Sequence, residues 1–182
     1  MTAATPAPGL PAGAASTDEA LDLFDRLQPA SVAFLRGRWS GRGFWTGHPL
    51  DGLLEACHWH GKRVDGTESV HPLVFATRSG RLVNVRPVGA LPAMALVRRW
   101  PVLKSPALGR VVQACLPVLA TRQSIARLRM VESRGVSTAT IVYDKLPIHD
   151  VLRQVDADTA LGLMDLKGMA QPLFFVLQRE RG

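Results

Sequence analysis

Four groups of residues have types and spacings that could do chemistry. His58, Trp59 and His60 form an H-x-H unit in a segment that reads as a strand, so both imidazoles would share one face, with His71 as a third nitrogen. That set could hold a metal, but no ligand-spacing rule supports it, and neutral histidines in β-structure more often serve as hydrogen-bonded core or rim groups. Asp144, Lys145, His149 and Asp150 fall within seven residues, directly after the most β-prone stretch. An Asp–His pair there could do general acid–base work, and the plain alternative is a polar turn capped by its aspartate. Asp165 and Lys167 flank Leu166; they read as an ion pair, or Lys167 as a contact for a carboxylate or phosphate headgroup. Trp39, Phe44, Trp45, Trp59, Phe75, Tyr143, Phe174 and Phe175 could line an apolar cavity. No serine elbow, phosphate loop or paired-glutamate signature is present, and the glycines of GRWSGRG lack the helix a dinucleotide site needs.

The elements that must position these groups are mostly strands. Ser16 to Leu27 reads as a helix with a capping box, Ser16 and Glu19, and an apolar face of Leu21, Phe24 and Leu27. From Val32 to Arg86, glycines and prolines alternate with short aromatic or β-branched runs, the pattern of strands and turns; Asp51 to Ala56 adds one helical turn. From 88 to 123, Pro92, Pro101, Pro106 and Pro117 divide an insertion into two or three short helices. Ala126, Leu128 and Met130 then alternate with arginines, Glu132 to Gly135 turns, and Val136 to Tyr143 returns as a hairpin. Val151 to Asp158 is ambiguous, and Leu173 to Gln178 closes the chain as a strand. Roughly eight to ten antiparallel strands favour a mainly β fold closed into a barrel, with an α-helical insertion.

The 182 residues, 47% hydrophobic, suffice for one domain with its own core. We expect a disordered tail over 1–15 and one barrel domain over 16–182, in parts 30–86, 88–123 and 124–182. The net charge of +7 is concentrated: residues 91–130 hold seven Lys/Arg and no acid, while the other fifteen Lys/Arg are balanced by fifteen Asp/Glu. Because that block is also apolar, it suits an anionic membrane surface better than nucleic acid, through Arg98, Arg99, Trp100, Lys104 and Arg110; a helix pair packed on the body is the plainer alternative. No apolar run reaches the ~18 residues of a membrane span. The start of the chain lacks a basic, apolar leader, and Cys57 and Cys115 read as two buried free thiols, with a single bridge between them as the alternative; we therefore expect the protein in the cytoplasm, at most peripheral to the inner face of the membrane.

Gly37-Arg38-Trp39-Ser40-Gly41 spells G-x-W-x-G. With Thr46-Gly47-His48, Trp59-His60-Gly61-Lys62 and His71-Pro72-Leu73 it resembles the GXWXG domain family. Tyr143-Asp144, Pro147-Ile148, Asp150, Val155-Asp156 and Met164-Asp165-Leu166-Lys167-Gly168 resemble that family's C-terminal partner, domain of unknown function 4334. His60 departs from the tyrosine expected in that motif. The resemblance implies a fold and no activity. A looser similarity, G-x-W in a first barrel strand, is to the calycins, which include lipocalins and nitrobindins. It implies that Trp39 closes one barrel end beneath Arg179 of the last strand.

The leading expectation is a non-enzymatic binding barrel for a hydrophobic or amphipathic ligand, a phospholipid or fatty acid. No metal or cofactor is assigned. Trp39, Trp45, Trp59, His60, His71, Tyr143, His149 and Lys167 would contact the ligand, and the basic segment would serve as lid and membrane contact. The alternatives are an enzyme acting on a small apolar substrate through an Asp/His pair, and, as the similarity to nitrobindins implies, a haem-binding barrel with His149 as the ligand.

Overall fold

A computed structural model describes residues 10–11, 16–89, 91–92, 99 and 106–181. Arg98, Trp100 and Lys104, expected at the membrane, lie outside these residues. The described elements run α1 (Thr17–Arg26), β1 (Gln28–Pro29), α2 (Val32–Leu35), β2 (Gly37–Phe44), α3 (Leu53–Ala56), β3 (Trp59–Gly66), β4 (Ser69–Ala76), β5 (Leu82–Asn84), α4 (Pro106–Leu119), β6 (Ala126–Ser133), β7 (Val136–Tyr143), β8 (Ile148–Gln154), β9 (Thr159–Leu166) and β10 (Leu173–Arg179). Eight strands close into an antiparallel barrel in the order β8-β7-β6-β4-β3-β2-β10-β9, with β9 returning to β8. β1 pairs with the end of β8 that β7 leaves free, and β5 pairs with β4. The expected mainly β, calycin-like barrel is the fold observed.

Alternation along the strands sorts two cores. On β10, Leu173, Phe175 and Leu177 point into the barrel, while Phe174 and Val176 point out. The outward set, with Phe44, Leu161 and Leu163, is covered by Ala20 and Phe24 of α1. The final strand is therefore apolar from Leu173 to Leu177, where it is buried on both faces. This corrects the cavity-lining expectation for Phe44 and Phe174, which pack against a helix outside the barrel. Helix α1 starts where expected, with the Ser16 hydroxyl accepting from the Glu19 N–H at 3.2 Å. Its other end is held by Asp25, whose carboxylate takes two bonds from Arg134 in the β6–β7 turn.

The ambiguous stretch resolves as β8 to Gln154 followed by a turn. Pro117 does not divide the insertion but sits inside α4. It forfeits one backbone bond near a helix end that Leu119 closes anyway. The two cysteines are free, but only Cys57 is partly buried; Cys115 is exposed on α4, contrary to expectation.

One barrel end is plugged as the calycin similarity implies. The Arg179 guanidinium lies 4.2 Å from the centre of the Trp39 ring. Its Nη atoms donate to the Phe34 and Arg36 carbonyls at 2.7 and 2.8 Å, so α2 is drawn over the end. The Trp39 indole N–H is satisfied by the Leu35 carbonyl at 2.9 Å.

Candidate functional site

The inward positions of β3 bring a charge into the barrel. Val64 packs in the interior core, and Lys62, two residues earlier, shares its face. The Lys62 Nζ lies 2.7 Å from Asp150 Oδ2, and the two side chains are 3% and 1% exposed. Asp150 points inward from β8 between Ile148 and Leu152. The ammonium also lies 4.6 Å from the Phe175 ring centre and 5.2 Å from that of Trp59, so π-faces surround whatever Asp150 leaves open. Tyr143, at the end of β7, completes the set. Burial, then the Asp150 charge and a hydrogen bond to that carboxylate, push the phenol pKa well above its ordinary range. Tyr143 therefore stays neutral beside Asp150.

Tyr143 also forms part of the wall of a cavity of about 300 Å³ where β6 begins and β7 ends. Pro87, Val88, Ile125 and Leu146 supply apolar wall; Arg86 and Lys145 supply positive charge. Both cations are exposed, and among the described residues neither has a carboxylate partner. Asp144, on the same wall, is occupied by Arg127, whose Nε and Nη2 donate to it at 3.0 and 2.8 Å. The cavity is thus net positive over an apolar wall.

The expected site residues separate into two groups. Trp39, Trp59 and Tyr143 are buried in the interior core. Trp45 is 51% exposed and lines no interior. His60 is half-buried and bound to Glu180 at 2.5 Å. His149 and Lys167 face solvent. His71 is buried with Nε2 3.6 Å from Asp65 and Nδ1 unpartnered; burial first, then Arg63, lowers its pKa, so it is neutral near pH 7. His58 has φ 58° in the turn before β3, so the H-x-H unit never shares a strand face. Among the described residues no group of three His, Cys, Asp or Glu is placed to hold a metal. The pairing of Asp144 with His149 expected for acid–base work is not observed: Asp144 serves Arg127, and His149 faces outward on β8 while its neighbour Asp150 faces inward.

Lys62 and Arg86 carry no contact role legible in the sequence, and Lys145 stands in the Asp144–Asp150 cluster without one. A lysine two residues before an inward valine was the available signal for Lys62. The β-bulges around Gly61 obscured it, because they break the period-two count.

Residues 22–80 match the model of the GXWXG protein family, and residues 124–179 match DUF4334, a domain of unknown function. The crystal structure of a protein from Thermomonospora curvata is 30% identical, with 93% of this chain and 90% of that one covered and a TM-score of 0.68. The chain belongs to the GXWXG–DUF4334 family. In family terms, the GXWXG half runs from the second half of α1 to β4 and the DUF4334 half supplies β6 to β10. Lys62 comes from the first half, Asp150 and Tyr143 from the second, so the buried polar set joins the two. The motif residues have structural work: Thr46 and His48 donate backbone N–H groups to Asp51 at 3.0 and 2.8 Å, closing the loop after β2. No curated protein matches the chain.

Proposed function

We propose that the protein is a non-enzymatic binding barrel for one small anionic amphiphile, such as a single-chain fatty acid, seated in the cavity beside Tyr143. The observation that carries this reading is the pairing of an apolar wall with two unneutralised cations, Arg86 and Lys145. A tail would cover Pro87, Val88, Ile125 and Leu146, while a carboxylate would meet the cations with charge-assisted hydrogen bonds. About 300 Å³ is the small end of ligand-site volumes, which favours one chain over a whole two-chain phospholipid.

The test is a titration with an environment-sensitive fatty-acid probe. Wild type is expected to bind saturably. Arg86→Ala combined with Lys145→Ala should weaken binding about tenfold or more, the scale of one or two charge-assisted bonds near solvent. Lys167→Ala, whose side chain is exposed and does not line the cavity, should match wild type. Probe binding that is absent, or indifferent to the double substitution, rejects the cavity as the site.

A further inference from the structure

Helix α4 is apolar on both sides. Leu108, Val112 and Leu116 face the body, and Leu116 is fully buried. The helix is fastened there: Gln113 Nε2 donates to the Ala76 carbonyl at 2.7 Å, and Ala120 pairs with Val85 just beyond the C-terminus. The opposite side carries Ala107, Val111, Ala114 and Val118, at helical spacings of four, three and four, and all four are exposed. Val111 is 60% and Val118 77% exposed. A surface helix normally turns charge outward; one that is apolar all round is expected to be covered. The charges flanking this stripe are positive, Arg110 on the helix and Arg122 just after it, both exposed. The stripe also runs toward the cavity. The Leu119 carbonyl accepts from the Arg86 N–H at 2.9 Å, and Arg86 and the 70%-exposed Val88 belong to the cavity wall.

We infer that the outer face of α4 docks on an anionic lipid bilayer, with Val111 and Val118 entering the interface and Arg110 and Arg122 meeting the headgroups. Charge selects this occupant. Residues 91–130 carry seven cations and no acid, so a second copy of the chain would set like charge against like. Nucleic acid would satisfy the cations but leave the valine stripe without a partner. A bilayer with acidic headgroups satisfies both, because it offers hydrocarbon beneath a negative surface. The inference holds whatever occupies the cavity, and it places the cavity mouth at the surface from which an amphiphile could enter.

Co-sedimentation of the full chain with vesicles tests it, comparing phosphatidylcholine alone with phosphatidylcholine containing 30% phosphatidylglycerol, a lipid chosen for its net charge. Wild type should bind only the acidic vesicles, and less as salt rises, since screening shortens to about 8 Å at physiological ionic strength. Val111→Ser with Val118→Ser should weaken binding about tenfold or more while leaving the melting curve and the fatty-acid probe titration unchanged, because both side chains are exposed and outside the cavity wall. Cys115, on the same exposed side, gives a second readout: acidic vesicles should protect it from a water-soluble maleimide. Cys57 interferes little, since burial raises its thiol pKa to about 11. Failure of wild type to bind acidic vesicles, equal binding to neutral ones, or full binding by the double variant overturns the inference. So does binding to a DNA duplex in the absence of vesicle binding. Intact probe binding in such a case leaves the cavity reading standing on its own.

Discussion

Lys62 and Asp150 hold opposite charges in a barrel interior where neither could stay alone. Taking each ion out of water costs several kcal/mol, and only close pairing offsets it. Here the 2.7 Å contact is reinforced by the Tyr143 hydroxyl on one side and two aromatic faces on the other. The pair is better read as specifying the interior than as adding to its stability. Asp150→Ala should cost about 3–5 kcal/mol, because it strands the ammonium. Lys62→Met together with Asp150→Leu should recover most of that loss. Urea unfolding midpoints of the three proteins decide the matter: a single variant as stable as wild type would show that the ammonium finds water, and hence that the interior is wetter than its burial indicates.

The G-x-W-x-G segment shows the same logic within a strand. Trp39 fills the plugged end, and the second glycine makes room for another ring. A Cβ built on Gly41 would lie 2.3 Å from two carbons of the Trp59 indole, so that ring lies directly against β2. Trp59 in turn packs edge-on to Phe175, with centroids 5.9 Å apart, and faces Lys62. The glycine is thus a packing requirement transmitted to the buried cation. Gly41→Ala should destabilise by about 1–3 kcal/mol, the usual cost of overpacking. The melting temperature measures this, and tryptophan fluorescence should change with it as Trp59 is displaced. An unshifted melt would mean the indole has another resting place.

Across the whole barrel the seams are unequal. β6 and β7 pair residue by residue from Ala126–Tyr143 to Ser133–Val136, whereas β4 meets β6 at the single register pair Val70–Ala126. A side chain makes up part of the difference. The Ser124 Oγ accepts from the Val70 N–H at 3.1 Å and lies 3.2 and 2.8 Å from the Val70 and Ala126 carbonyls. This seam is where the GXWXG and DUF4334 halves meet after the inserted α4, and Ser124 and Ile125 also line the cavity. Hydrogen exchange should therefore be faster at Val70 and Ile125 than in β8 to β10. Ser124→Ala should widen that difference and cost about 1–3 kcal/mol, the penalty for a backbone group left without its partner. Uniform protection around the barrel would show that the seam is as tight as the rest.

Local chemistry was sufficient for much of this. The cap at Ser16, the β6–β7 hairpin and the G-x-W-x-G strand could be read from residue type and spacing, because caps, tight turns and period-two alternation depend on neighbours a few positions away. The concentration of charge over 91–130 is likewise a property of order along the chain. The site was not legible in the same way. His60, His149 and Lys167 had suitable chemistry but face away from the interior or are otherwise engaged, while Lys62 read as one more motif residue. Which face a strand residue takes depends on bulges such as those around Gly61. Whether a charge is tolerated there depends on a partner 88 positions away on another strand. Order along the chain sets the caps, the hairpin and the sign of the charge; closure of the barrel sets which side chains share its interior, because burial comes from contacts between segments that the chain holds far apart.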